Sequence, residues 1–453
     1  MKNKLSYFIG VAFVLCYTST FTSCINGVDD EYLEQKLSGE GESNNEEEEE
    51  IPDLNGNYCA GGDFDLTMTY NGEELTGKKV TVAADEMNET AVITLAGIEQ
   101  DLSSLVGGLV PFSFTGFSPI PGVKEITFTD VKLYKRDGAY QFAGEETNPA
   151  YTLTYQGTID NEKMNISIKH QLVNQKLAGT WNLAPIKNTG NSKDFAPLWC
   201  DWQSEMITSL GIVYIDMFGT GKLSELKLNK YNFNGIFTLL AGSLSPVVMN
   251  MLLGQTIGLE NIVGNTLRDI TAEGNGCMFA TYSYSGDLQK PEWSSEMPHN
   301  ALRYYYGKEG QIYLEANTDL IVSLIGGLIN PAITRADPQV TVQLGKELVA
   351  LLVPVLQEGI PCDYVLDGNN LTINIDGQLL KAILSKLMQL ANDEVAHPYV
   401  MDFISTLGDF STNIEELLNT MPDALKYQKI NKETGEPEGE CGDIKLGLRF
   451  VKG

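Results

Sequence analysis

Three segments between residues 54 and 168 recur in the same order between residues 177 and 375, and this repeat constrains the fold more than any other feature. The first pair shares the pattern Leu-x-Gly-x-aromatic, at 54–58 and at 177–181. The other pairs lie at 91–111 and 311–331, and at 155–168 and 366–375. Ordered matches of this kind indicate an internal duplication. The sequence therefore predicts two related domains, at 52–175 and 176–453.

Alternating apolar and polar residues predict that the first domain consists of antiparallel strands. The predicted strands lie at 67–70, 79–83, 91–95, 125–134, 140–143, 151–155 and 164–170. Turn residues Gly157, Asp160 and Asn161 separate the last two, which is typical of a hairpin. One short helical turn is expected near 102–109. Because open sheet edges promote aggregation, we expect this meander to close into a barrel.

The second domain begins and ends in strands but changes its periodicity in between. Apolar residues recur at three- and four-residue spacing at 237–253, 340–357, 377–391 and 413–418. That spacing predicts amphipathic or buried helices inserted into the β framework. The expected fold class is mainly β with helical insertions (α+β).

The first 23 residues have the organisation of an export signal. Lys2 and Lys4 form a basic start, residues 5–17 are apolar, and small residues precede Cys24. This arrangement resembles the lipobox of bacterial lipoproteins, in which the cysteine becomes the diacylated N-terminus. The resemblance implies that residues 1–23 are a signal peptide and that Cys24 is lipidated.

Acidic residues dominate the segment that follows, 24–51. Asp29, Asp30 and Glu31 come shortly after Cys24, and residues 46–50 are all glutamate. Such a polar, self-repelling segment is expected to be a disordered tether. The early acidic cluster resembles the surface-export signal of Bacteroidota lipoproteins, which implies an outer-membrane location facing the cell exterior.

The formal net charge of −29 restricts the partners of this protein. A strongly negative chain is repelled by nucleic acid and by anionic membrane surfaces. The longest apolar stretch after the signal, 236–253, is interrupted by Gly242, Ser243, Ser245, Pro246 and Asn250. We therefore expect contact with the membrane only through the lipid anchor, and no binding to nucleic acid.

Motifs that would name a reaction are missing from the sequence. It has no Gly-x-Ser-x-Gly, HExxH, phosphate-loop or dinucleotide-binding pattern, no CxxC, and its histidines are far apart. The five cysteines after Cys24 are an odd number, so at least one lacks an intrachain partner. We predict no metal, no cofactor and no enzymatic activity. With 60 acidic residues, a glycoside hydrolase with paired carboxylates remains a remote alternative.

The openings Gly56-x-Tyr58 and Gly179-x-Trp181 resemble the first-strand motif of lipocalin-like (calycin-like) barrels. In that superfamily the aromatic residue plugs the closed end of the barrel. Together with the signal, the tether and the paired domains, the layout resembles lipocalin-like surface lipoproteins of gut Bacteroidota, a family of unknown function. The resemblance implies two antiparallel lipocalin-like barrels, the second with large helical insertions.

A hydrophobic small molecule, lipid or sterol-like, is the first ligand class that the sequence suggests. Met249 and Met251 lie in one predicted helix, and Leu320 and Leu324 lie in a second apolar stretch. Methionine adapts to irregular ligands, and binding pockets are largely apolar. These residues predict a pocket in the second domain, although the same pattern also fits a solid helical core.

A surface that binds a glycan or a protein is the alternative. Trp199 and Trp202 are close in sequence, and Tyr305 is the middle residue of a tyrosine triplet whose neighbours must face opposite sides of a strand. Aromatic side chains with a polar tip stack on sugars and anchor protein partners. Exposed aromatics would favour this alternative, whereas a closed apolar cavity would favour the hydrophobic ligand.

Overall fold

The computed structural model describes residues 51–60, 64–101, 113–185, 196–202, 259–283, 290–295, 301–316, 357–391 and 421–453, with Gly62, Ser204, Val355 and His397. Within these residues the protein is mostly β with few helices. We call residues 51–175 the first half of the chain and residues 176–453 the second half, following the two predicted domains. The predicted helical turn at 102–109 and the predicted helices at 237–253 and 413–418 lie outside the described residues, as does the one at 340–357 apart from Val355 and Gln357. So do Cys24 and the tether up to residue 50.

The strands of the first half are β1 (Gly56–Cys59), β2 (Asp65–Tyr70), β3 (Glu73–Glu74), β4 (Lys78–Ala84), β5 (Thr90–Gly97), β6 (Glu99–Asp101), β7 (Ser113–Thr115), β8 (Glu125–Lys132), β9 (Tyr134–Arg136), β10 (Ala139–Thr147), β11 (Tyr151–Ile159) and β12 (Lys163–Leu172). The elements of the second half are β13 (Gly179–Leu183), β14 (Leu198–Trp202), α1 (Leu259–Thr266), β15 (Leu267–Ala272), β16 (Met278–Ser283), β17 (Trp293–Ser294), β18 (Leu302–Tyr306), β19 (Gln311–Ala316), β20 (Ile360–Asp367), β21 (Asn370–Ile375), α2 (Gly377–Ala391), β22 (Tyr427–Ile430), β23 (Pro437–Glu440) and β24 (Ile444–Lys452).

The hairpin of β11 and β12 forms where the alternation predicts it, because one side of each strand is buried and the other is exposed. Its turn is fixed by the Asp160 carboxylate, which accepts hydrogen bonds of 2.8 Å from the backbone N–H groups of Glu162 and Lys163. Gly157, expected in the turn, instead lies within β11. A Cβ atom there would come within 2.6 Å of the Phe142 ring, so glycine allows a close contact rather than a bend.

Two sheets enclose the core of the first half. One has the order β1-β4-β5-β8, and the other has the order β3-β2-β12-β11-β10-β9. Leu133 alone separates β8 from β9, so one extended segment passes from the first sheet to the second. Tyr58, Ile93, Phe128 and Leu153 fill the space between them.

One pairing in the first half departs from the predicted antiparallel meander. β2 pairs with β12 in parallel, and a parallel bridge joins Tyr58 to Phe64. The reason is that β2 follows β1 after a very short link and continues in the same direction beside it. Alternation within a strand fixes which face is buried, but it carries no information about the direction of the partner strand.

A ten-stranded sheet forms the second half, with the order β17-β16-β15-β13-β24-β21-β20-β19-β18 and with β14 also paired to β24. The sheet curls into a half-barrel. Its two ends approach each other, because Cys277 and Arg303 form an antiparallel bridge and Tyr304 N donates to the Gly276 carbonyl at 2.7 Å. The curl therefore gives the sheet an inner and an outer face.

Apart from β14 and β17, which lie within two of the long connections, successive strands of this curled sheet run antiparallel, and short and long connections alternate between them. The short ones are 273–277, 307–310 and 368–369. The long ones are 184–266, 284–301, 317–359 and 376–443. Because strand direction also alternates, all short connections lie at one end, which we name the closed end, and all long ones leave from the other, which we name the mouth.

Helix α2 belongs to a long connection and has the bounds that the apolar spacing predicts. The Asp376 carboxylate caps it by accepting from the N–H groups of Gln378 and Leu379, each at 3.0 Å. Its apolar side chains, Leu380, Leu384 and Met388, recur every four residues and pack in a small core with Trp202 and Ile444.

Candidate functional site

The inner face of the ten-stranded sheet is apolar. Its register places Trp181 opposite Ile270, and Leu371 opposite Phe450. All four side chains are buried and belong to one core cluster. Since alternate residues of a strand face the same side, the inner face presents an almost continuous apolar lining.

Side chains fill the closed end of this sheet. The Trp181 indole is 1% exposed and donates from Nε1 to the Leu177 carbonyl at 2.8 Å. The Leu177 N–H in turn donates to the Tyr306 hydroxyl at 3.0 Å. Tyr304, on the same strand as Tyr306, is 0% exposed. An amphipathic aromatic side chain with a satisfied polar tip is well suited to such a plug.

The mouth is more open than the closed end. The inward-facing side chains there are half-buried and pack against the main core: Leu183, Leu302, Leu314, Ile373 and Leu448. Helix α1 lies at this end, where Val263 packs with Leu198. The arrangement offers apolar surface that a ligand of matching chemistry can cover.

The four aliphatic residues predicted to bind a hydrophobic ligand lie outside the described residues. Met249 and Met251 fall between β14 and α1, and Leu320 and Leu324 fall between β19 and β20. Both of these segments leave the sheet at the mouth and return to it there.

The two tryptophans predicted for a glycan or protein surface lie on opposite faces of β14. Trp202 is 5% exposed and packs in the core, where its Nε1 donates to the Cys441 Sγ at 3.4 Å. Trp199 is half-buried on the outer face, and the Arg449 guanidinium lies 3.6 Å from its ring centroid. The structure therefore does not bring these two rings together.

Tyr305 faces outward, whereas its neighbours Tyr304 and Tyr306 face inward. Its ring stacks on Tyr313 across the strand pair, with centroids 4.9 Å apart and planes at 6°. Its hydroxyl donates to the Glu358 carbonyl at 2.5 Å. Tyr305 thus belongs to a fixed aromatic pair on the outer face.

A buried polar junction joins the two halves of the chain. Arg303 and Glu315 are 3% and 4% exposed, lie opposite each other on β18 and β19, and form an ion pair. The Arg303 guanidinium also donates to the Pro119 carbonyl from the first half, and it lies 5.2 Å from the Tyr70 ring centroid. Buried charges of this kind require a partner, and each group here has one.

His170 extends the junction. Its Nδ1 lies 2.8 Å from the Tyr70 hydroxyl and 2.9 Å from the Asn275 carbonyl. Burial lowers the pKa of His170 to about 4; the Asn275 carbonyl opposes this effect, and the positive charge of Arg303 adds to it. The imidazole is therefore neutral at pH 7. Burial also raises the pKa of the Tyr70 hydroxyl well above its usual value, so that group stays protonated.

Sequence reasoning missed this junction. It treated the histidines as isolated, yet His170 pairs with Tyr70, a hundred positions away. The available signal in the sequence was small: Arg303 and Glu315 are the charged residues of two strands that are otherwise mostly apolar or aromatic. Nothing local shows that the outer face at that point is covered by the first half of the chain.

No family model, curated protein or solved structure matches the chain. Among the described helices none is both long and apolar enough to cross a bilayer. In the same part of the chain no three potential metal ligands come together. The five described cysteines, at 59, 200, 277, 362 and 441, form no disulfide, and the last four are buried.

Proposed function

We propose that this protein is a lipid-anchored binding protein of the outer membrane, facing the cell exterior, that holds a hydrophobic small molecule at the mouth of its second domain. The observation that carries the proposal is that every long connection of the curled sheet leaves from the mouth, the end at which the apolar inner face is half-buried. Insertions at one end of a barrel-like sheet are where such folds place binding residues.

Two related lipocalin-like barrels are part of the proposal. The path β1-β4-β5-β8/β9-β10-β11-β12 has the same sequence of neighbours as β13-β15-β16-β18-β19-β20-β21. Tyr58 and Trp181 also match, because each is buried in the first strand and donates to the carbonyl four residues earlier, at 3.1 and 2.8 Å. The hairpins β11–β12 and β20–β21 occupy equivalent places in the two paths.

The correspondence has two departures. The repeat segments at 91–95 and 311–315 fall on β5 and β19, which are not equivalent in the two paths, so that pair gives no support. The place next to the last hairpin is taken by β2, parallel to β12, in the first half and by β24, antiparallel to β21, in the second. Support for duplication therefore comes from strand order and from the plugging aromatics.

The ligand class follows from the chemistry of the mouth. The half-buried groups there are leucine and isoleucine, and the connections whose sequences contain Met249, Met251, Leu320 and Leu324 begin and end at this end of the sheet. Burying apolar ligand surface against such groups is favourable by about 25 cal/mol per Å². Binding without reaction needs no catalytic residue, and the proposal assigns none.

Probe binding by the full-length protein in mild detergent tests this proposal. We expect a fluorescent fatty-acid analogue to bind the wild type, and Met251→Lys to abolish binding while circular dichroism stays unchanged. The matched control is Val365→Lys, on the outer face of β20, where the native side chain is 55% exposed. Equal binding by wild type and Met251→Lys, or none by wild type, would remove the proposal.

The anchor is tested separately. Replacing Asp29, Asp30 and Glu31 with alanine is expected to leave the protein lipidated but protected from protease added to intact cells. Unchanged digestion of this variant would show that the acidic cluster does not direct surface export.

A further inference from the structure

A groove of about 280 Å³ lies on the outer face of the ten-stranded sheet, opposite to the apolar inner face. It is bounded by β19, by the start of β20 and by the first turn of α2. The lining residues used below are Gln311, Tyr313, Glu358, Pro361, Asp376 and Leu379. Gln311 and Tyr313 face outward because Ile312 between them is buried in the inner core.

Gln311 is the most unusual residue of the groove. Its side chain is 6% exposed, and its backbone is fully engaged: the N–H donates to the Lys308 carbonyl, and the carbonyl accepts from Gly307. Its side-chain carboxamide lines the groove. A carboxamide carries both N–H donors and a carbonyl acceptor, so it can form hydrogen bonds with a polar group that enters the groove.

Tyr313 gives the groove an aromatic wall whose position is fixed. Its ring is held at 4.9 Å from that of Tyr305, and the Tyr305 hydroxyl donates to the carbonyl of Glu358 on the opposite rim. Both walls of the groove are therefore connected through one side chain. Such a preorganised site loses little conformational entropy when a ligand binds.

Carboxylates supply the remaining polar groups. One oxygen of Asp376 caps α2, and the residue also lines the groove; Glu358 is exposed at the rim. Burial, and then the negative charge of Asp376, raise the pKa of the neighbouring Asp363. Asp376 and Glu358 thus offer acceptor oxygens at the groove, whereas Lys308 and Lys445 oppose the negative charge around Asp363.

We infer that this outer groove binds one sugar ring, a neutral ligand rich in hydroxyl groups. A carboxamide both donates to and accepts from hydroxyls, carboxylates accept from them, and a tyrosine ring packs on the apolar face of a pyranose. The volume lies near the lower limit of small-molecule sites, which suits a single ring rather than a longer chain. The groove opens on the outer face of the sheet, whereas the proposed hydrophobic site uses the inner face, so it adds a second ligand class to the proposed hydrophobic one.

The test is saturation-transfer NMR on the full-length protein with glucose, galactose, mannose and N-acetylglucosamine, each as the free sugar and as its methyl glycoside. Wild type is expected to transfer saturation to at least one of them. Gln311→Leu is expected to weaken that binding about tenfold, the value of one hydrogen bond. The matched control, Gln156→Leu, changes an exposed glutamine of β11 and should leave binding unchanged.

Comparison of each free sugar with its methyl glycoside distinguishes two possible sources of the ligand. Transfer to a methyl glycoside identifies the terminal sugar of a glycan as the ligand, whereas transfer to the free sugar alone identifies a free monosaccharide. If Gln311→Leu loses its folded circular dichroism spectrum, Glu358→Ala on the exposed rim takes its place, with the same expected weakening. No transfer by wild type, or equal transfer by wild type and both groove variants, overturns the inference. Retention of the fatty-acid probe in every one of these variants is expected, because the apolar inner face is unchanged.

Discussion

The Arg303–Glu315 pair gives the most quantitative prediction. Both side chains are almost completely buried, so removal of one charge leaves the other without its counter-ion in a region with little water. Breaking a buried pair in this way costs about 3–5 kcal/mol. We therefore expect Glu315→Gln and Arg303→Met each to lower the free energy of unfolding by about that amount.

The double variant Arg303→Met/Glu315→Leu should be much less destabilised than the sum of the single changes. Two apolar side chains replace the pair, and the main remaining loss is the hydrogen bond to the Pro119 carbonyl, a cost of about 1–3 kcal/mol. The double-mutant cycle is therefore expected to show a coupling energy of several kcal/mol.

Denaturant unfolding provides the assay, and the sequence offers a convenient probe. All four tryptophans, Trp181, Trp199, Trp202 and Trp293, lie in the second half, so their fluorescence reports that half while circular dichroism reports both. Since Arg303 bonds to Pro119, Glu315→Gln should shift both signals. If each single variant lowers the free energy of unfolding by less than about 1 kcal/mol, or if the cycle is additive, Arg303 and Glu315 are not a coupled buried ion pair.

Three further predictions concern the junction and the anchor. The pKa of His170 is about 4 in the folded protein, against an ordinary value of 6.5. Because only the unfolded chain then takes up this proton between pH 6.5 and pH 4, the free energy of unfolding falls by about 3 kcal/mol as the pH is lowered through that range. His170→Gln should flatten this part of the stability–pH curve, and an unchanged slope would contradict the assignment. Gly122→Ala should destabilise more than Gly138→Ala in urea unfolding: both have positive φ, at 76° and 83°, but only at 122 would the new Cβ meet a ring, 2.7 Å from Tyr305. Equal losses of stability in the two variants would show that the close approach of the new Cβ to Tyr305 has no free-energy cost. Cys24→Ala should move the protein from the membrane fraction to the soluble fraction on immunoblots, and a variant that still pellets as a membrane protein would contradict lipid anchoring.

Two elements of the fold were predicted correctly from the periodicity of their own sequences. The hairpin at 151–170 and helix α2 lie where periodicity places them, because alternating or four-residue spacing is itself the condition for burying one face. The parallel partner of β2 was missed, since strand pairing is decided by segments a hundred residues apart.

The candidate sites were harder to predict, for a physical reason. Gln311 looks like an ordinary polar residue of a strand until the start of β20 and the first turn of α2 form a groove beside it. Arg303 looks exposed until its guanidinium meets the Pro119 carbonyl of the first half. Both environments are created by segments distant in sequence. Trp202 shows the converse, because an aromatic that suggested a binding surface is a core residue.

Mass spectrometry of what co-purifies with the protein shows whether it holds a hydrophobic small molecule. The full-length wild type, Met251→Lys and Val365→Lys would be extracted in the same detergent, purified and analysed for non-covalently bound small molecules. The prediction is a hydrophobic molecule near one equivalent in the wild type and in Val365→Lys, and its loss from Met251→Lys. The same lipid content in all three proteins, or no bound molecule in any of them, would contradict it.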